Sequence, residues 1–350
     1  MILSKYPHSM GKSCRTVALL NLLENNKVSM SEDIIFGLAE GLTFSFVRPQ
    51  SSTEHKYFKA LAPNLNQFGN FAKNLAIEYQ VVTGADNQLD YIEGLLKYEK
   101  NAVICEVAPE SYKKYLRNEK QRWEKVKMDM PMTSHITEVV GTDDKYVYIY
   151  ENYSRELFHI PRKTFIKARN KKSDTYLNPH HRIHRFILPE NLQQLDMKHI
   201  VRNAICNNIS WYTSDYSSRL GYTAYNAFIS DFPRLYEEFG EKNCKRSAMI
   251  TGYLIKFVSP GMFRRSYGRY LAYCGKLLGQ EKEFDELSRM LFKADYLWNR
   301  FAGLMLKKNI PIKERMQGED VTKLLKMIDS VETPFIHKIA EVIFPWKLCQ

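Results

Sequence analysis

Long apolar runs are missing from this sequence. No stretch approaches the roughly 20 consecutive apolar residues of a membrane-spanning helix, so an integral helical membrane protein is excluded. The first residues, Met1-Ile2-Leu3-Ser4-Lys5-Tyr6, lack a basic segment followed by an apolar core, so no signal peptide is expected. Cysteine is sparse and scattered, at positions 14, 105, 206, 244, 274 and 349, without a CxxC pair. That argues against a disulfide framework and against a zinc ribbon, and fits reduced thiols in the cytoplasm. Zinc-finger spacing, an RNP-like aromatic signature, a basic low-complexity tail and a repeat of fixed period are all absent, so nucleic acid is not the expected partner. Acidic residues are in deficit, 39 against 51 Lys and Arg, which leaves a net charge of +12. A surface of this sign favours an acidic partner, and acidic protein is the class that remains.

The rest of the composition is ordinary for a globular chain, 44% hydrophobic and 26% charged, and 350 residues suffice for two domains with a core each. The chain is organised around Lys12-Ser13-Cys14-Arg15-Thr16-Val17-Ala18-Leu19-Leu20-Asn21-Leu22-Leu23. Val17, Leu20 and Leu23, widened by Leu19 and Leu22, recur at helical spacing, which predicts a helix from about Cys14 to Asn25. Pro7, Ser9 and Gly11 are loop formers that deliver the chain to its start. A thiol in a first helical turn meets unpaired N–H groups and the positive end of the macrodipole, and Arg15 and Lys12 add charge. These conditions suit a nucleophile. They also suit a small buried hydrophobe, and this stretch alone leaves both readings open.

Downstream, helix and strand patterns alternate. Residues 66–79 and 86–98 read as helices, and 42–47, 80–83 and 102–107 as strands. Ser134-His135 to Asn152 reads as strand, Gly-Thr-Asp-Asp turn and strand, with Phe158-His159-Ile160-Pro161 as an edge strand. Polar, proline-punctuated residues 170–190 read as a boundary. Beyond Pro189 the pattern is helical throughout, with segments near 196–211, 221–240, 243–258, 261–279, 281–307, 318–330 and 334–342. The expectation is an α+β domain over 1–188 with an antiparallel sheet, then an all-α helical domain over 189–350.

A cysteine nucleophile needs a histidine, and the histidine needs an orienting group. His135 follows Cys14 in the cysteine-first order of papain-like enzymes, and Glu151 and Asn152 end the partner strand of its hairpin. An antiparallel pair with its turn at 141–145 brings His135 and residue 151 to one end of the ladder. An ordinary strand-end histidine and a solvated carboxylate are the alternative reading. His180, His181 and His184 stand among arginines with no Cys or carboxylate at ligand spacing, so no metal site is expected there.

Cys14-Arg-Thr-Val-Ala-Leu-Leu-Asn-Leu-Leu, then Met30-Ser31-Glu32-Asp33-Ile34-Ile35-Phe36-Gly37-Leu38-Ala39-Glu40-Gly41-Leu42, resembles the N-terminal domain of the butirosin biosynthesis protein H-like family. That family is related to papain-like and bacteriocin-processing cysteine peptidases. His135 with Val139-Val140-Gly141 is similar to the family's strand-leading histidine, and Glu151 falls where the family usually has Asp. Ser13 stands where the family usually has His. Ser259-Pro260-Gly261-Met262-Phe263-Arg264-Arg265-Ser266-Tyr267-Gly268-Arg269-Tyr270-Leu271 resembles the helical domain that follows in the same family.

The resemblance implies a papain-like, cofactor-free enzyme of specialised-metabolite assembly that forms an amide. An acyl group on the phosphopantetheine of an acidic acyl or peptidyl carrier protein would pass to Cys14 and then to an amine acceptor. His135 would be the base, and Glu151 or Asn152 its orienter. The Cys14 N–H, with Ser9 or Ser13, would serve the oxyanion. A cysteine peptidase or amidase, and a catalytically silent carrier- or metabolite-binding protein, are the other readings. Arg264, Arg265, Arg269 and Lys276 mark either a carrier-docking face or a solvated one, and both a monomer and a homodimer stay open.

Overall fold

A computed structural model describes residues 1–350 apart from 49–57, 63–65, 85–87, 117–134, 172–178, 216 and 348–350. Helices α1 (Cys14–Asn25) and α2 (Glu32–Leu38) come first. Strands β1 (Ser45–Val47) and β2 (Lys59–Leu61) are followed by α3 (Gln67–Asn74), β3 (Glu78–Val82), α4 (Gln88–Glu99) and β4 (Val103–Val107). Then come β5 (His135–Thr142), β6 (Tyr146–Tyr150), β7 (Phe158–Pro161), α5 (Arg162–Arg169) and β8 (Ile183–Ile187). Helices α6 (Met197–Thr213), α7 (Gly221–Asp231), α8 (Leu235–Tyr253), α9 (Arg264–Leu278), α10 (Glu281–Leu306), α11 (Ile312–Gln317) and α12 (Glu319–Lys347) complete the chain. The fold is α+β, and none of the described helices is long and apolar enough to cross a membrane.

The chain forms two compact units: residues 1–35 with 75–194, and 36–74 with 195–350. This differs from the contiguous division at 188. The reason lies in the aromatic side chains of 36–74. Phe44 packs on Tyr225, Phe228 and Trp298, and Phe58 on Phe232 and Phe239, so this stretch belongs to the helical core and brings the β1–β2 ribbon with it.

In the first unit a six-stranded antiparallel sheet runs in the order β3-β8-β4-β5-β6-β7. β4 pairs with β5 in the register Val107↔His135, and β5 with β6 in the register Glu138↔Tyr150. Leu89, Ile92 and Leu96 of α4 and Phe165 and Ala168 of α5 cover the face that carries Val103, Cys105, Val107, Val139, Val147, Ile149 and Ile183. Along α1, residues 16–23 are all buried, and α1 crosses β5, where Asn21 reaches Glu138. β8 lies inside the stretch expected to be a boundary. Its Arg185 pairs with Glu99 at the end of α4 at 2.6 Å and its His184 with Glu106 of β4 at 3.1 Å, so residues that look solvated in sequence are satisfied within the unit.

In the second unit Gly37 permits a close approach: a Cβ there would sit 2.0 Å from the Tyr270 ring. α12 runs on through Pro334, where two helices were expected; the proline forfeits one backbone hydrogen bond without ending the helix. Arg264 is not on a basic face. It is fully buried, with Nε donating to Glu332 Oε1 at 2.7 Å and Nη1 to the Thr43 carbonyl at 3.0 Å, while Trp298 Nε1 donates to the same carboxylate at 2.8 Å. Arg265 is paired with Asp295. Because removing one member strands the other charge in a dry core, Glu332→Ala is expected to cost about 3–5 kcal/mol. A lowered urea midpoint at unchanged slope reads this directly. A cost under about 1 kcal/mol, the size of an exposed pair, would contradict it.

Candidate active site

The loop before α1 is tied down on both sides. Glu32 Oε1 accepts from the backbone N–H groups of Lys12 (2.9 Å) and Ser13 (3.0 Å) and from Thr16 Oγ1 (2.9 Å). Ser13 occupies the N-cap position without capping through its own side chain, and the carboxylate of Glu32 holds the Ser13 N–H and the Thr16 hydroxyl on either side of Cys14. A Cβ at Gly11 would come within 2.6 Å of the Glu32 carboxylate, so the chain here must be glycine for Glu32 to approach. On the other side the Gly11 N–H donates to the Asn152 carbonyl at 2.8 Å, and Asn152 Nδ2 donates to the Gly11 carbonyl at 3.3 Å. Cys14 therefore enters the first turn of α1 from a fixed loop, partly buried.

His135 opens β5 and shares a hydrogen bond with Cys14. Its Nε2 is 2.5 Å from Glu151 Oε2. Glu151 follows the last residue of β6 and is fully buried, and its other oxygen accepts from Tyr112 Oη at 2.6 Å. Tyr153 stacks on the imidazole at a centroid distance of 6.5 Å. The structure thus brings Cys14, His135 and Glu151 into one line and gives Asn152 a different task, holding the loop before α1 through Gly11. Tyr112, absent from the expectations, lies between two short 3₁₀ segments, Pro109–Ser111 and Lys113–Tyr115, in a stretch whose sequence carries no motif.

Electrostatics sharpen the pair. Burial pushes the Cys14 thiol up, but the charge and hydrogen bond of His135, the charge of Arg15 and the Ile136 N–H outweigh it and leave the thiol below its ordinary value. Burial pulls the His135 imidazole down, but Glu151 and Cys14, by charge and hydrogen bond, push it up to about 10. A lowered thiol beside a raised imidazole favours the thiolate and imidazolium form of the pair. A thiolate and imidazolium in contact form a nucleophile with its proton donor already loaded.

Of the side chains expected to serve an oxyanion, Ser9 Oγ donates to Glu24 at 3.3 Å. Ser13 Oγ is buried with no hydrogen-bond partner among the described residues. A second buried carboxylate, Glu138, accepts from Asn21 Nδ2 (2.6 Å) and Tyr6 Oη (3.0 Å), and burial pushes it up to about 8. Asn21 also reaches His8 Nδ1 at 3.1 Å and accepts from the Ser9 N–H at 2.8 Å, so this cluster moors residues 6–9 against α1. The role of Glu32 had a signal in the sequence, the Ser-Glu of the family resemblance. Tyr6, Asn21 and Glu138 had none.

His184 is buried between Tyr79 and Glu106, and among the described residues no group of His, Cys, Asp and Glu is placed to hold a metal. Cys105, Cys206, Cys244 and Cys274 are buried, and Cys349 lies outside the described residues.

Comparison with known proteins gives two matches by family and none by individual relative. The family described as Butirosin biosynthesis protein H, N-terminal, matches residues 13–152, which take in Cys14, His135, Glu151 and Asn152. A domain of unknown function (DUF4872) matches residues 165–339. A search of curated proteins found no match. With both halves matched in order, the chain belongs to the butirosin biosynthesis protein H-like family.

Proposed function

We propose that the chain is a cysteine-dependent, papain-like acyltransferase that moves an acyl group from a carrier-protein thioester to an amine, forming an amide in specialised-metabolite biosynthesis. The observation that carries this reading is the single line from Cys14 through His135 to the buried Glu151. The Cys14 thiolate attacks the thioester carbonyl and forms a new C–S bond; the electron pair of the carbonyl moves to oxygen. The tetrahedral adduct collapses, the carrier thiolate leaves, and it takes the proton from the His135 imidazolium. The acyl-Cys14 that remains is attacked by an amine nitrogen, which gives its proton to His135, and the Cys14 thiolate departs again. Glu151 keeps the imidazole oriented and balances its charge throughout. The Cys14 N–H, in the first turn of α1, is the candidate donor to the forming oxyanion. No cofactor enters these steps. The carrier protein is acidic, in keeping with the net charge of +12.

Intact-mass analysis tests the reading. The chain is mixed with a butyryl thioester of N-acetylcysteamine, and the mass gained on Cys14 is followed with and without an added primary amine. An adduct that persists in water and is discharged by amine into an amide supports transfer. Discharge by water at the same rate as by amine makes the protein a hydrolase, the peptidase or amidase reading. No adduct with any thioester leaves a binding protein.

A further inference from the structure

The turn that carries Glu151 is held from a second side, by a residue that takes no part in the steps above. His8 lies just before the loop into α1, and its side chain is only 5% exposed. Its ring stacks on that of Tyr150, the residue before Glu151, at a centroid distance of 4.1 Å and an angle of 9°. Nε2 lies 2.7 Å from the Ser154 carbonyl, and the backbone of Glu151 hydrogen-bonds the ring as well. The Ser154 N–H closes the turn on the Glu151 carbonyl at 3.1 Å. Nδ1 meets Asn21 Nδ2 at 3.1 Å, on α1 two turns after Cys14. One ring therefore touches both flanks of Glu151 and the helix that carries the sulfur.

The proton on that ring is fixed by its neighbours. The Ser9 N–H donates to Asn21 Oδ1 at 2.8 Å, which sets the amide with its NH₂ toward Glu138 Oε2 at 2.6 Å and toward His8 Nδ1. Both amide hydrogens are thereby used. Nδ1 must accept, so the proton sits on Nε2, where the Ser154 carbonyl receives it. Glu138 Oε2 does not compete for Nδ1, because it is 3.9 Å away, beyond hydrogen-bond distance. Burial draws the imidazole below its ordinary value, against the Ser154 and Glu151 backbone and the Glu151 charge, so the ring is uncharged at neutral pH.

We propose that His8 is a positioning residue of this site: its two hydrogen bonds, with the proton on Nε2, fix the 151–154 turn against α1 and so set Glu151, and the His135 ring it orients, relative to Cys14. This rests on the reading of Cys14, His135 and Glu151 as the reacting line, though not on acyl transfer as the outcome. The same turn bears Tyr153 on the His135 ring and Asn152 on Gly11, so a shift of the turn loosens each contact that frames the sulfur.

Two substitutions separate the hydrogen bonds from the ring. His8→Phe keeps an aromatic face for Tyr150 and loses both bonds; His8→Gln keeps one donor and one acceptor. Each is read by the pH midpoint of Cys14 alkylation with iodoacetamide, by the rate of acylation with the butyryl thioester of N-acetylcysteamine, and by thermal unfolding. His8→Phe should raise the midpoint by about 1 pH unit, because a displaced Glu151 supports the imidazolium less. It should also slow acylation roughly 10–100-fold, the range for outer partners of a functional group. His8→Gln should recover most of both. A His8→Phe chain that unfolds at a lower temperature with midpoint and acylation unchanged would make His8 a packing residue and overturn the inference. Equal losses in the two variants would overturn it too, since the hydrogen bonds would then not carry the effect.

A further readout needs no altered chain to act. In nitrogen-15 NMR of the histidine-labelled wild type, with the His8 signals identified by their loss in His8→Gln, a protonated Nε2 and a bare Nδ1 are expected at neutral pH. A charged ring, or a proton on Nδ1, would overturn the assignment. If no thioester acylates wild-type Cys14 but the alkylation midpoint moves as stated, the positioning role stands and the transfer reading falls. If acylation proceeds but His8→Phe leaves both its rate and the midpoint in place, transfer stands and the positioning role falls.

Discussion

Cys14→Ala is expected to end acyl transfer altogether, with the rate falling by on the order of 10⁶-fold, as when the nucleophile of a coupled triad is deleted. The chain should keep its fold, because Cys14 is only partly buried and alanine at the first helical position disturbs neither the N-cap residue Ser13 nor the Glu32 bonds that hold the loop before it. Unchanged thermal unfolding together with no mass gain on thioester treatment is the expected pair of results. Cys14→Ser separates chemistry from packing further. Its hydroxyl fits the same space, but it is not ionised beside His135, so it should be nearly as inactive as alanine. A Cys14→Ala chain that still produced amide would remove the sulfur from the account.

The second large effect belongs to Glu151→Gln. Each oxygen of Glu151 has its own donor, Tyr112 Oη on Oε1 at 2.6 Å and His135 Nε2 on Oε2 at 2.5 Å. A glutamine offers one acceptor where two are needed, and its NH₂ meets either a hydroxyl or an imidazole N–H head-on. Two losses follow: the charge that supports the imidazolium, and the hydrogen bond that sets the orientation of the ring. Loss of about 10⁴ in the acylation rate is expected, the size seen when a triad carboxylate becomes an amide. Glu151→Asp keeps the charge and should retain far more activity, which a purely steric role for Glu151 would not predict. Tyr112→Phe removes one hydrogen bond to Glu151 and should cost roughly 10–100-fold, the range for outer partners of a functional group. A Glu151→Gln chain within about tenfold of wild type in acylation would show that the carboxylate is a packing feature only, since a positioned proton-transfer partner is worth at least about 10².

Sequence was most informative where local chemistry and periodicity agree. The leucine spacing after Cys14, the loop formers before it and the Gly-Thr-Asp-Asp turn are local signals, and α1, β5 and β6 lie where those signals put them. β8 was not legible because its cues cancel: Arg182, His184 and Arg185 look solvated until Glu106 and Glu99 are seen opposite them, and those partners are about 80 residues away in sequence. The assignment of residues 36–74 to the helical unit was hidden for the same reason, since Phe44 and Phe58 find their ring partners far downstream. α5 was missed because Arg162-Lys-Thr-Phe-Ile-Lys-Ala-Arg169 is mostly charged; only Phe165, Ala168 and Arg169 turn inward. Within the site, the spacing of the hairpin could offer Glu151 and Asn152 together. Only coordinates separate them, one on the imidazole and the other on Gly11.

All of the chemistry turns on whether the sulfur of Cys14 is ionised by its contact with His135. The measurement that reaches this most directly is the pH dependence of Cys14 alkylation by iodoacetamide, followed by mass, in the wild type and in His135→Asn. With the thiol lowered and the imidazole raised to about 10, the reactive thiolate should persist as pH falls below the ordinary thiol range and disappear only as pH passes through the lowered value. In His135→Asn the midpoint should climb back toward the free-thiol value of about 8.5. A wild-type midpoint already at that value, or one that the His135→Asn substitution leaves in place, would contradict the ion pair and the acyl transfer built on it.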